Sequence, residues 1–319
     1  MAKQAVLLLA HGTPESVEQI PDYLRNVTSG RPLPPAVIEE IERRYTLIGH
    51  SPLTEITLEQ ARLVEEELSA SGRPVRVYVG MRNWRPYIPD VVRQMRADGV
   101  EEAAVICLAP QNSRTSVGLY RRAVEAEGLR IDFTGGWADH PLMAEAFAER
   151  LRPAWNKLSA ESGAPVPVLF TAHSVPCRTI QTPAASEGQP RLWPGEGADP
   201  YAEEAKRTAA MVASLVPGIP QWWFAFQSQG ASGGPWIGPT VEETLQAAAA
   251  AGVKALVLQP IGFLCDHVEI LYDVDILFRE FAAKLNLRLE RPDSLNASRT
   301  LARAVADLAR QGLARLNKG

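Results

Sequence analysis

The chain has 319 residues, 46% apolar and 22% charged, enough for two α/β domains of ordinary size. Its 33 basic and 37 acidic residues leave a formal net charge of -4, which gives a nucleic-acid partner no electrostatic footing. No apolar run approaches the roughly 20 residues that span a bilayer, and the opening MAKQAVLLLAHG carries no signal-peptide cleavage pattern, so a cytoplasmic protein without a transmembrane segment is expected.

The first predicted strand, residues 5–10 (AVLLLA), runs directly into His11, Gly12, Thr13 and Pro14. Residues 15–60 then form a helical insertion broken by SGRPLPP and IGHSPL, with helical periodicity in PAVIEEIERRYTLI and TLEQARLVEEELSA. Strands over 75–80 (VRVYVG), 103–108 (AAVICL) and 130–134 (RIDFT) complete the first half. After the linker-like SAESGAPVP, the second half opens on a strand over 166–171 (VPVLFT) that leads into Ala172, His173, Ser174, Val175 and Pro176. A long loop over 176–199, a candidate lid or mobile segment, separates it from strands over 221–227, 254–259 and 287–291, with a helix in VEETLQAAAAAG.

The two halves match in order. Each begins with a strand ending in Ala-His, continues to a punctuated turn (GMRNWRP against QSQGASGGPW), and has a third strand that runs into proline (LAPQNS against LQPIGF). The pattern predicts α/β architecture: two similar Rossmann-like, doubly wound parallel-sheet domains, divided as 1–155 and 156–319. Ligands of such sheets bind beyond the carboxyl ends of the strands, which places both His11 and His173 at a binding rim.

A strand-end histidine either hydrogen-bonds to nearby backbone or is free to accept a proton or bind a metal, and both readings apply to His11 and His173. The densest polar stretch is PIGFLCDHVEILYDVD, residues 260–275, where α-helical spacing puts Asp266, Glu269 and Asp273 on one face. Asp266 suits a helix dipole, but Asp273 lies beyond its reach, so carboxylates passing a hard cation inward or taking up protons are the functional alternative. GASGG, residues 230–234, fits a nucleophile elbow in letters but lacks the strand entering and the helix leaving it. No G-x-G-x-x-G follows a strand, and Cys107, Cys177 and Cys265 are too scattered for a zinc knuckle or a disulfide framework.

FTAHSVP, FQSQG…PWIGPT, PIGFLCDHVEILYD, YTLIGHSPL and MRNWRPYIPD together resemble the ferrochelatases, enzymes that insert ferrous iron into a porphyrin, in order over nearly the whole chain. The resemblance implies a porphyrin cleft between the two domains, with His173 and Glu269 facing the macrocycle as catalytic residues. It also implies that His173, Glu269 and Asp273 handle the metal. AHGTP, RYTLIGHSPL, EQA and SVGLYRRA are most similar to the bacterial coproporphyrin-using branch. That likeness implies substrate contacts from His11, Arg31, Arg44, Ser51 and Tyr120. His11 stands where the branch commonly has a tyrosine that ligates product iron, and Thr28 and Ser29 stand where an arginine pair is usual. Leu277 takes the place of a third carboxylate four residues after Asp273.

The resemblance therefore implies a monomeric haem-biosynthesis lyase whose partners are a porphyrin and Fe2+, the latter as substrate. It implies no permanently bound cofactor and no iron–sulfur cluster. A protoporphyrin IX enzyme, a cobalt or nickel tetrapyrrole chelatase and a non-catalytic haem-binding protein are the alternatives.

Overall fold

Short apolar runs alternating with amphipathic stretches commit the chain to parallel sheets covered by helices on both faces. The computed structural model describes residues 3–70, 72, 74–114, 116–180, 199–229 and 234–318. Most of the GASGG turn (230–233) and of the 176–199 loop (181–198) lies outside the described residues.

In chain order the first half contains β1 (Gln4–Ala10), α1 (Ile20–Val27), α2 (Pro35–Ile48), α3 (Leu53–Ala70), β2 (Val77–Met81), α4 (Ile88–Ala97), β3 (Glu102–Cys107), α5 (Val117–Glu125) and β4 (Arg130–Thr134). There follow α6 (Pro141–Ser162), β5 (Val168–His173), α7 (Cys177–Ile180), α8 (Tyr201–Ser214), β6 (Trp222–Gln227), α9 (Val241–Ala250) and β7 (Ala255–Pro260). A π-helix (Glu269–Phe278), α10 (Arg279–Lys284), β8 (Arg288–Glu290) and α11 (Arg299–Leu316) complete the chain. The helix expected from VEETLQAAAAAG is α9, and it starts on a full capping box in which Thr240 and Glu243 exchange side chain-to-backbone bonds.

Both sheets are parallel, in the orders β2-β1-β3-β4 and β6-β5-β7-β8, so each strand of the first has its counterpart in the second. The doubling inferred from the two Ala-His strand ends is thus a doubling of topology. In the first sheet, α4 and α5 pack on one face, and α3 and α11 on the other. In the second, α9, the π-helix and α10 cover one face, while α6 and α8 lie against β7 and β6. The central strands are apolar along their length, Ala5 to Leu9 in β1 and Val168 to Phe170 in β5, because both of their faces are dry. Among the described residues, no helix is long and apolar enough to cross a membrane.

The sequence placed a single division at 155/156. The packing units are instead Met1–Trp137 with Asn296–Gly319, and Ala138–Leu295. The difference has a simple cause: α6 covers the second sheet although it precedes it, and α11 returns to lie on β3 and β4 of the first. That return needs a glycine. A Cβ on Gly312 would stand 2.9 Å from Ala104 Cβ and 3.0 Å from Asp132 Oδ1. Gly312→Val is therefore expected to destabilise the protein by about 3 kcal/mol, since overpacking outweighs any helix-propensity gain. Chemical denaturation of the variant checks this, and unchanged stability would show that α11 can lift away freely.

Candidate active site

The strand order of the second sheet reverses between β5 and β7, and open α/β sheets bind their ligands at the crevice such a reversal leaves. β5 delivers His173 to that edge. It runs two residues past the expected 166–171 because Ala172 and His173 continue the ladder onto Phe226 and Gln227. Its end is firmly tied: Ser174 N donates to Gln227 O at 2.6 Å, Ser174 Oγ to Ile237 O at 2.8 Å, and Tyr201 Oη to His173 O at 2.9 Å.

The His173 ring has one nitrogen committed. Nδ1 bonds to the carbonyl oxygen of Ser174, which can only accept, so Nδ1 carries the proton and Nε2 is the nitrogen that titrates. Nε2 lies 3.3 Å from Glu269 Oε1, with the two side chains 30% and 32% exposed. Burial pulls the His173 pKa down, but the Glu269 carboxylate, the Ser174 carbonyl and Asp273 outweigh it and raise it to about 8. Burial likewise pushes Glu269 up, yet His173 and His267 hold it well below the usual carboxylate range. Both shifts favour the imidazolium–carboxylate pair over the neutral one.

A second histidine, His267, completes this group and was not singled out from the sequence. Its Nδ1 lies 3.1 Å from the Cys265 carbonyl, its Nε2 stands 3.6 Å from Glu269 Oε2, and its ring packs 4.3 Å from that of Phe263. The signal was present as an imidazole two residues before Glu269, next to Asp266 in the same polar stretch. Phe263 and Trp236 also flank His173, with ring centroids 6.2 Å and 6.4 Å away.

Glu269 opens a π-helix instead of the expected α-helix, and this corrects the inferred acidic face. The i→i+5 turn is wider than an α-turn, and such turns occur frequently at functional sites. Glu269 and Asp273 remain in one site. Asp273 is buried and accepts from Ser228 Oγ, on a residue held at φ 60° at the end of β6. Asp266 stands ahead of the helix and turns to Arg291 at 3.2 Å, away from the other two. Leu277, where a carboxylate is missing, is 37% exposed. Among the described residues no group of three or more His, Cys, Asp or Glu side chains is arranged to hold a metal ion. Burial pushes the thiols of Cys107 and Cys265 up to about 12, so both stay protonated.

The remaining candidates all lie in the first unit. His11 follows β1 and is half-buried; its Nε2 is 3.0 Å from Tyr23 Oη, and Asn83 Nδ2 is 3.1 Å from the same nitrogen. Gly12, at φ 82°, permits the turn: a Cβ there would meet Trp84 N at 2.8 Å. Arg31 is exposed and donates to Thr28 O at 3.2 Å, and Arg44 Nε donates to Glu40 Oε1 at 2.9 Å. The Arg43 and Arg44 guanidiniums outweigh the effect of burial on Glu40 and lower its pKa to about 2. Ser51 is buried, and its Oγ has no hydrogen-bond partner among the described residues. Tyr120 is buried in the core of the first unit, with the Arg82 guanidinium 5.3 Å from its ring. The structure thus groups His173, Glu269 and Asp273 in one site, and puts His11, Arg31, Arg44, Ser51 and Tyr120 in the other unit.

The family model described as Ferrochelatase matches residues 3–313. A curated ferrochelatase of Acidobacterium capsulatum is 61% identical over 317 residues, covering 98% of this chain and 96% of that protein. A coproporphyrin III ferrochelatase of Mycolicibacterium vanbaalenii is 34% identical, covering 97% of this chain and 89% of its own. Among solved structures, the cobalt complex of the sirohydrochlorin chelatase SirB from Bacillus subtilis subspecies spizizenii shares the fold. It has a TM-score of 0.56 at 12% identity and covers 97% of this chain and 94% of that one.

Proposed function

Because the chain belongs to the ferrochelatase family, enzymes that insert a metal into a porphyrin, we propose that its substrate is coproporphyrin III and that His173 and Glu269 carry the insertion of Fe2+. The observation that carries the second half is the 3.3 Å approach of His173 Nε2 to Glu269 Oε1, with Asp273 buried behind them. Insertion needs a bent macrocycle, the loss of two pyrrole protons and a metal that sheds its water without being trapped. Neutral His173 has its free lone pair at Nε2, the atom that would accept a pyrrole proton. Glu269 stabilises the imidazolium that results. Both are weak ligands for an incoming ferrous ion, one nitrogen and one oxygen, with Asp273 a further oxygen along the same path. Phe263 and Trp236 restrict the ring of His173, so the acceptor is preorganised.

Coproporphyrin is supported by the likeness of the first-unit residues to that branch and by the 34% identity to a coproporphyrin III ferrochelatase. Arg31, Arg44, Ser51 and Tyr120 would hold propionates, each charge-assisted contact contributing roughly 1.5–3 kcal/mol. Ser51 offers a buried hydroxyl with unused bonding capacity. Arg44 must share its charge with Glu40, and Thr28 and Ser29 supply none, so the preference is smaller than four full contacts would give. His11 would ligate the iron of the product. As part of the same proposal the enzyme acts as a cytoplasmic monomer without a resident cofactor or iron–sulfur cluster.

Anaerobic incubation with Fe2+ and either coproporphyrin III or protoporphyrin IX, followed by absorbance, tests the substrate. Coproporphyrin is expected to be converted at least about tenfold more efficiently, the equivalent of a single retained propionate contact. Faster conversion of protoporphyrin IX in detergent-free buffer would overturn the assignment.

A further inference from the structure

We infer that Arg291 is a positioning residue for Glu269, acting by bracing both flanks of the π-helical turn that carries it. Arg291 follows β8 and its side chain is only 10% exposed. Its Nε and Nη2 each donate to one oxygen of Asp275 at 2.7 Å, a bidentate fork. Its Nη1 reaches Asp266 Oδ1 at 3.2 Å, Ser294 Oγ at 3.3 Å and the Pro292 carbonyl at 3.2 Å. Ser294 Oγ donates in turn to Asp266 Oδ1 at 2.7 Å. One guanidinium therefore grips the chain three residues before Glu269 and six residues after it.

Such a grip has a physical task here. A π-helix is seldom longer than a single turn, whereas this one runs from Glu269 to Phe278, so its wide turns need support from outside the helix. The flanking carboxylates are themselves largely buried, 17% exposed for Asp266 and 21% for Asp275. Without the guanidinium they repel each other and turn outward to water, drawing both ends of the turn with them. Arg279 is a poor substitute, since it is 46% exposed and 3.7 Å from Asp275. A fork also does what a lysine cannot, because an ammonium fixes neither the plane of Asp275 nor its distance from Asp266. Glu269 shifted by about 1 Å from His173 is enough to slow a positioned reaction on the order of a hundredfold.

Arg291 acts this way only where His173 and Glu269 form the working pair, the reading proposed above. The test measures anaerobic kcat, KM for porphyrin and thermal unfolding for Arg291→Lys, Arg291→Gln, Ser294→Ala and Glu269→Gln. Arg288→Gln, on β8 just ahead of Arg291, breaks an exposed ion pair to Glu161 of α6 and serves as the control. Arg291→Lys is expected to lower kcat about tenfold and Arg291→Gln about a hundredfold, with KM for porphyrin within about twofold. Ser294→Ala should lower kcat about threefold, and the control should match the wild type. A purely structural role would instead give losses that follow thermal unfolding and vanish at lower temperature, and that result overturns the inference. So does a folded Arg291→Gln with kcat within about twofold of wild type beside an inactive Glu269→Gln. If Arg291→Gln does not fold, Ser294→Ala and Asp275→Asn decide by the same split of kcat against KM. Turnover retained by Glu269→Gln would remove the pair itself, and the role of Arg291 with it.

Discussion

His173→Ala is expected to slow iron insertion at least a hundredfold while porphyrin affinity changes less than about threefold. The side chain stands at the end of a strand whose last residues are tied by Ser174, Tyr201 and Gln227, so truncation leaves the backbone in place. What is lost is the nitrogen that stands 3.3 Å from Glu269 Oε1 and whose ring tautomer is fixed by the Ser174 carbonyl. Glu269 would remain beside His267, but its Oε2 is 3.6 Å from that ring, a looser contact than the one to His173. Porphyrin affinity, which the proposed propionate contacts of the first unit would carry, is read separately by fluorescence quenching. Retention of more than about a tenth of wild-type turnover, a barrier change under ~1.4 kcal/mol, would contradict a catalytic role for His173.

Glu269→Gln is expected to reduce turnover by about a hundredfold or more, and Asp273→Asn by no more than about tenfold. Glutamine preserves the shape of a carboxylate lying between two imidazoles and removes its charge. The charge has two functions in the proposed reaction. It holds the His173 proton after transfer, and it gives an arriving cation an anionic partner. Asp273 sits farther from the imidazole, bonded to Ser228, so it acts on the same chemistry at a distance. Steady-state rates at saturating porphyrin measure both variants. Equal and small effects would show that the acidic residues take no part in the reaction.

The overall architecture was legible because it follows from periodicity. Strands and helices alternate, each half repeats the order, and the two Ala-His ends fall on corresponding strands of two corresponding sheets. The division between units was less legible, because α6 and α11 carry no signal saying which sheet they will cover. The site was legible in part. Glu269 and Asp273 were placed together on an α-helical argument that gives nearly the right neighbours for the wrong helix. Residues four apart share a side in either geometry, but Asp266 does not join them because it precedes the helix and pairs with Arg291. No propensity rule announces a π-helix. Arg291 lies 22 residues beyond Glu269 in sequence, after an intervening strand, and its link to Asp266 and Asp275 exists only in the folded chain. Arg44 shows the opposite difficulty: a cation assigned to a substrate from its motif is already paired with Glu40, four residues away on the same helix.

The most direct measurement is the pH dependence of kcat/KM for iron insertion, run on the wild type and on Glu269→Gln in the same buffers so that metal speciation is common to both. In the proposed reaction neutral His173 is the accepting form, and Glu269 and its neighbours outweigh burial to raise its pKa to about 8. About a tenth of the sites are therefore competent at pH 7, and the rate is expected to rise with pH to a half-maximum near 8. Removing the carboxylate leaves burial less opposed, so in Glu269→Gln the rising limb is expected at lower pH even though its plateau is lower. A shared midpoint in the two proteins, or a wild-type rate that is flat from pH 6.5 to 9 on the scale of about one pKa unit, would contradict the His173–Glu269 pair as the group that takes the proton.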